Sequence, residues 1–210
     1  MHTLFACLFA LCALFLSALA MAIPDNLSNP PHPPWEQVYI KAFNYTGDAC
    51  PPPDSIGAKF TNSGNVSYLE VAFDSTVIKV RPGQPSVDTR NCSLSFDVHF
   101  PANWTLTLNT LDILGDMDLD PDVQVEIYNV CRWDGQPGSW FFAYTWEGGD
   151  DKIPFKGSEP LDSLCNGAPS ALLIDSKTTM YTSQNIEGSG ATTANSSKII
   201  HQYGCEWTKC

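Results

Sequence analysis

The chain has 210 residues, with 11 Lys and Arg against 23 Asp and Glu, a formal net charge of −12 and a sequence pI of about 4.5. So acidic a surface repels nucleic acid and anionic lipid, and neither is expected as a partner. Hydrophobic residues make up 43%, which excludes a disordered chain and permits a packed core.

Residues 1–22 read MHTLFACLFALCALFLSALAMA. From Leu4 to Ala20 the run is apolar apart from Ser17, carries no charge, and ends in the small-residue exits Ala18-Leu19-Ala20 and Ala20-Met21-Ala22. This is the pattern of a secretory signal peptide, with the cut expected after Ala22 and a rival cut after Ala20. The run is short for a membrane span, and no second apolar run of spanning length follows, so the mature chain of 188 residues (210 less 22) is expected to be soluble, extracellular or wall-associated. Residues 23–37 hold a proline-rich leader, IPDNLSNPPHPPW and its exit, and one domain is expected over 38–210.

Within that domain the period is two. CSLSFDVHF places Cys92, Leu94, Phe96, Val98 and Phe100 on one face and Ser93, Ser95, Asp97 and His99 on the other. NWTLTL repeats the pattern with Trp104, Leu106 and Leu108, and SWFFAYTW with Trp140, Phe142, Tyr144 and Trp146. VYIKAFNY, SYLEVAF, STVIKV, SALLID, KTTMYTS and KIIHQY are further short strands, punctuated by DACPPPD, RPGQP, DGQPG and EGGDD. EGSGATTANSS, residues 187–197, reads as a flexible loop. No helical stripe and no internal repeat is present. About eight to ten short strands at this spacing predict an all-β, jelly-roll-like antiparallel sandwich stapled by disulfides.

Six cysteines follow the signal: Cys50, Cys92, Cys131, Cys165, Cys205 and Cys210. An even count in a secreted chain implies disulfides, and six allow 15 pairings. No CxxC pair favours a metal site. Glycosylation sequons stand at Asn26, Asn44, Asn65, Asn91, Asn103 and Asn195, in keeping with secretion; the neighbouring Cys92 crowds Asn91.

The densest carboxylate cluster is ILGDMDLDPDVQVEIY, residues 113–128, with Asp116, Asp118, Asp120 and Asp122 at alternate positions. A calcium loop of the EF-hand kind started at Asp116 needs Gly at position 6 and a bidentate Glu at position 12; the chain offers Pro121 and Ile127. Leu111, Ile113, Met117, Leu119, Val123, Val125 and Ile127 occupy the odd positions, so the aspartates are the wet face of an extended segment interrupted at Pro121. Same-face carboxylates stand about 6.5–7 Å apart, too far for one cation unless the chain bends at Pro121. No cofactor is expected; calcium at Asp116, Asp118, Asp120 and Asp122 is the alternative.

Catalytic signals are sparse. G-x-S-x-G and H-E-x-x-H are absent. A glycosidase pair would draw on Glu147, Asp150, Asp151 or the aspartate run. His99 with Asp97 lies on a polar strand face and reads as solvated, and no catalytic residue is assigned. Trp104, Trp140 and Trp146 suit the core. Trp133, beside DGQPG, is a candidate for stacking on sugar rings, whereas Trp207 suits packing over a disulfide. The expected function is therefore extracellular or cell-wall binding, of polysaccharide or a surface protein. A carbohydrate-active hydrolase with a carboxylate site and a structural wall protein are the alternatives.

Several stretches together resemble a family of secreted fungal and bacterial domains, domain of unknown function four-three-six-zero. They are VYIKAFNYTGDACPPPDSI (38–56), VAFDS (71–75), the DTRNCSLSFDVHFP block, LDPDV (119–123), LCNGAPSALLI (164–174) and the closing CEWTKC. The family features are Cys50-Pro51, Asn91-Cys92, Cys165 and Trp207-x-x-Cys210. The resemblance brings no activity with it. It implies the pairs Cys50–Cys92 and Cys165–Cys210, and leaves Cys131 and Cys205 as additions most simply explained as partners of each other.

Overall fold

Two-residue alternation becomes backbone ladders in the computed structural model, which describes residues 32–50, 56–63, 66–73, 76–80, 86–115, 117–119, 123–147, 152–156, 161–163, 165, 171–182, 192–196 and 199–210. The strands in chain order are β1 (Tyr39–Gly47), β2 (Ile56–Ser63), β3 (Val66–Phe73), β4 (Thr76–Val80), β5 (Val87–His99), β6 (Trp104–Leu114) and β7 (Met117–Leu119). After these come β8 (Val123–Trp133), β9 (Trp140–Glu147), β10 (Lys152–Lys156), β11 (Leu161–Asp162), β12 (Ala171–Thr182), β13 (Thr192–Ser196) and β14 (Ile199–Lys209). Five of these fourteen, β4, β7, β10, β11 and β13, are two to five residues long. The remaining nine fall within the expected eight to ten. The helical content of the described residues is one 3₁₀ turn, Trp35–Gln37.

All strand pairings are antiparallel. One sheet runs β1-β5-β12-β8-β9-β10 and the other β11-β6-β14-β3-β2, with a small third sheet β4-β13-β7. The two large sheets pack as a sandwich, because each strand has one apolar face that water expels. Phe96, Leu172, Ile174, Cys131, Trp140 and Tyr144 come from the first sheet; Leu69, Val71, Leu106, Leu108, Tyr203 and Trp207 come from the second. The Tyr144 hydroxyl donates to the Leu111 carbonyl and so ties β9 to β6 across the core.

The pairing also explains a phase change within β6. Its inward residues are Trp104, Leu106 and Leu108, then Leu111 and Ile113, switching from even to odd. Against β14 the register shifts between Gly204 and Cys205: Gly204 pairs with Thr110 and Cys205 with Leu108. A bulge thus absorbs one residue of β6 and keeps both apolar sets inside, where an unbroken register would have turned one outward.

Other sequence readings change. SALLID and KTTMYTS are one continuous strand, β12, paired along its length with β5 and β8. The loop expected at 187–197 contributes Thr192–Ser196 as β13, hydrogen-bonded between β4 and β7; backbone pairing rather than hydrophobic period makes this strand. The end of the proline-rich leader is packed on the domain rather than apart from it: His32 stacks on Trp35 at 4.0 Å, Pro33 is buried, and Trp35 lies against the core. Trp133 is not a surface ring but a core residue, 1% exposed, because the inward alternation of β8 runs through its last position. Trp207 is also buried, edge-on to Phe100, with Nε1 donating to Ser67 Oγ at 2.8 Å.

Two disulfides are formed, Cys50–Cys92 with Cα atoms 5.5 Å apart and Cys165–Cys210 at 5.9 Å. The third expected pair is not: Cys131 and Cys205 are free, buried cysteines. Cys131 lies on β8 and Cys205 on β14, in opposite sheets. Facing sheets stand about 10 Å apart, whereas a disulfide needs Cα atoms within about 7 Å.

Candidate functional site

The six-stranded sheet turns a polar face outward, and its register fixes what meets there. One row across the strands reads Asn44, Ser95, Leu173, Arg132; the next reads Thr46, Ser93, Asp175, Val130, Phe141. Strands about 4.8 Å apart make the first row about 14 Å long. Asn44, Thr46, Ser93, Ser95, Arg132 and Asp175 of these rows line a depression of about 370 Å³, with Leu173 among the polar groups; Val130 and Phe141 lie beyond its rim.

Its chemistry centres on Asp175. Arg132 donates to Asp175 Oδ2 at 2.5 Å, and Ser93 Oγ donates to Oδ1 at 2.8 Å. Burial works to raise the Asp175 pKa, but the hydrogen bonds from Arg132 and Ser93 and the Arg132 charge outweigh it, and the carboxyl sits below its ordinary value. Arg132 and Asp175 remain 42% and 45% exposed, so the pair is worth little to stability yet open to a ligand. An ionised carboxylate offers hydrogen-bond acceptors, the guanidinium and hydroxyls offer donors, and all sit on a rigid sheet.

Two rings flank this polar centre. Tyr128 and Phe141, both half-buried, lie on adjacent strands with centroids 5.9 Å apart. Phe141 stands opposite Val130, which stands opposite Asp175, so the ring is two strand spacings, about 10 Å, from the carboxylate. Lys177 is exposed opposite Tyr128. None of Ser93, Arg132, Asp175, Tyr128 and Phe141 was singled out from the sequence as a site. Arg132 and Tyr128 fall on the solvent face of VQVEIYNVCRW, but only long-range register brings β5, β12 and β8 side by side.

The residues the sequence did single out lie elsewhere. Asp118 is on β7, opposite Asn195; Asp116, Asp120 and Asp122 lie outside the described residues. The segment is not one strand broken once at Pro121. β6 ends at Leu114, Gly115 (φ 121°) turns the chain, β7 joins the third sheet, and β8 begins at Val123. Among the described residues no three His, Cys, Asp or Glu gather as metal ligands. Glu147 closes β9 and is exposed, while Asp150 and Asp151 lie outside the described residues. His99 is half-covered by Tyr39, with ring centroids 4.7 Å apart. Asn44, Asn91 and Asn103 are exposed, Asn195 lies on β13, and Asn26 and Asn65 fall outside the described residues.

The free cysteines are chemically quiet. Burial, and then the Asp175 charge, raise the Cys131 thiol far above its ordinary pKa. Burial pushes Cys205 up to about 12, against opposing hydrogen bonds from Leu69 and Ser67. Neither supplies a thiolate for nucleophilic or metal chemistry.

With the site in place, comparison with known proteins gives a family. The model described as Domain of unknown function (DUF4360) matches residues 36–210. The chain belongs to this family. A curated relative, an uncharacterized secreted protein of Arthroderma benhamiae, is 26% identical over 198 residues, covering 89% of this chain and 77% of that one. That relative and the disulfides place this DUF4360 protein outside the cell. Among the described residues no helix is long and apolar enough to cross a membrane. Among solved structures, a family 11 carbohydrate-binding module from Clostridium thermocellum, in complex with a β-1,3-1,4-mixed-linked tetrasaccharide, covers 80% of this chain and 94% of its own at 12% identity, with a TM-score of 0.25. The family 11 module of the cellulosomal cellulase Lic26A-Cel5E of the same organism covers 75% and 86% at 12% identity, with a TM-score of 0.22. At such scores these likenesses say nothing of function.

Proposed function

We propose that the protein is a non-enzymatic extracellular binding domain whose ligand is a cell-wall or surface polysaccharide. One observation carries this reading: the outward face of the six-stranded sheet sets a hydrogen-bonding centre, Arg132, Asp175 and Ser93, beside the half-exposed rings of Tyr128 and Phe141. A sugar ring has apolar C–H faces and a hydroxyl rim. Rings serve the first, and a carboxylate and guanidinium serve the second. Asp175 is held ionised by Arg132, which suits an acceptor of hydrogen bonds from sugar hydroxyls rather than a general acid, whose pKa must be raised.

The test is retention of the secreted protein on insoluble wall polysaccharides, with and without a calcium chelator. Retention that survives the chelator and drops in Asp175→Ala and in Tyr128→Ala/Phe141→Ala supports the reading. Retention by no wall fraction counts against it. Loss of retention in chelator moves binding to the Asp116–Asp122 run.

A further inference from the structure

Asn44 heads the sequon Asn44-Tyr45-Thr46 on β1, the edge strand of the six-stranded sheet, and is exposed. It does not merely neighbour the depression but lines it, in one row with Ser95, Leu173 and Arg132. A group attached to Asn44 Nδ2 therefore emerges on the same face as the Arg132–Asp175 pair, about three strand spacings or 14 Å from Arg132. A second sequon, Asn91-Cys92-Ser93, lies on the same face, exposed and opposite Lys177. The Ser93–Asp175 row thus runs between the row that holds Asn44 and the row that holds Asn91. Of the three sequon asparagines whose side chains are described, Asn103 alone, in the turn before β6, stands away from this face.

We infer that an N-linked glycan on Asn44 lies across this depression and competes there with external polysaccharide. The inference rests on the proposed carbohydrate-binding reading. Asn44 is exposed on an edge strand, so its strand position leaves Nδ2 accessible. The secretory glycosyltransfer machinery moves an oligosaccharide from a lipid pyrophosphate carrier. The C1–O bond to the pyrophosphate breaks, the C1–Nδ2 bond to Asn44 forms, and the amide gives up a proton as the lipid pyrophosphate leaves.

The tethered glycan then presents acetamide and hydroxyl groups to Arg132, Asp175 and Ser93, the groups an external sugar needs. At an effective concentration on the order of 1 mM and an intrinsic Kd of roughly 0.1–1 mM, it covers the depression about half to nine-tenths of the time, so removing it opens the site roughly 2- to 10-fold. The glycan raises the apparent Kd of every external sugar at this site by that same factor, so only ligands that bind tightly, as long multivalent polymers do, still occupy it.

The test uses the full protein secreted from a host that adds high-mannose glycans, compared with the same protein trimmed by an endoglycosidase that leaves one N-acetylglucosamine, and with Asn44→Gln. Asn103→Gln serves as the control. Peptide mass spectrometry reads occupancy of Asn44, and the rate of Arg132 modification by phenylglyoxal reads coverage without any ligand. Occupied Asn44, with Arg132 modified roughly 2- to 10-fold faster after trimming and in Asn44→Gln but not in Asn103→Gln, is the expected result. Unmodified Asn44, or an Arg132 rate unchanged by trimming, overturns it. Retention on wall polysaccharide is measured on the same samples. Its failure in every form overturns the polysaccharide reading, while the Arg132 rate still decides whether the glycan covers the depression.

Discussion

Replacing both members of each disulfide in turn separates the two staples. The closures span 42 residues for Cys50–Cys92 and 45 for Cys165–Cys210. In the chain-entropy picture loops of these lengths stabilise by about 4 kcal/mol each, so on entropy alone the two double-alanine variants should be equal. Their surroundings differ. Cys50 and Cys92 are 0% and 1% exposed within the core, whereas Cys165 and Cys210 are exposed. Cys50→Ala/Cys92→Ala also empties buried volume, worth about 1 kcal/mol per sulfur, and should cost roughly 5–6 kcal/mol against about 4 for Cys165→Ala/Cys210→Ala. Urea titrations followed by tryptophan fluorescence measure the two midpoints. In mild reductant the exposed bridge should open first. Ellman titration in urea without reductant, on the chain from residue 31 onward, should count two thiols, Cys131 and Cys205. An equal or reversed order of midpoints, or any other thiol count, would falsify the burial argument.

In the binding assay, Tyr128→Ala and Phe141→Ala should each weaken retention roughly tenfold, the equivalent of ~1.4 kcal/mol of lost stacking, with the urea midpoint little changed. Glu70 is held below its ordinary pKa of 4.5: burial opposes this, but hydrogen bonds from Gln202, Thr61 and Lys59, and the Lys59 charge, prevail. Its contribution is therefore complete above pH 4.5 and lost as pH falls through the lower folded value, so Glu70→Gln should lose less stability than wild type between neutral pH and pH 3, read by thermal melts. At the alkaline end, burial and then Asp112 push Tyr144 up to about 12, and burial does the same for Cys205. Stability from these neutral groups is present below their unfolded values of 10.0 and 9.0 and should fall as pH rises from there toward 12, with a smaller fall in Cys205→Ala. Gly47 (φ 147°) would carry a Cβ 2.0 Å from the Asn91 carbonyl oxygen, so Gly47→Ala should displace β1 from β5 and lower the melting temperature by several degrees, about 2 kcal/mol or more.

What the sequence determined by itself is local: period-two patterning in Leu94-x-Phe96-x-Val98 and its counterparts is a property of neighbouring residues, and it dictates strands and an all-β fold wherever water is the solvent. The inward odd positions of 123–127 and the burial of Trp104, Trp140 and Trp146 follow from the same rule. Tertiary structure decided what depends on partners far along the chain. β13 lacks a hydrophobic stripe and is a strand because β4 and β7 supply its hydrogen bonds. Cys131 and Cys205, which simple counting pairs, are held apart by the sandwich they help to fill. Above all, Ser93, Arg132 and Asp175 are unremarkable polar residues 39, 43 and 82 positions from one another, and only the register of β5, β12 and β8 makes them one centre. Alternation says which side of a strand meets water; it cannot say which strand lies beside it, and on this protein the candidate site is assembled across strands.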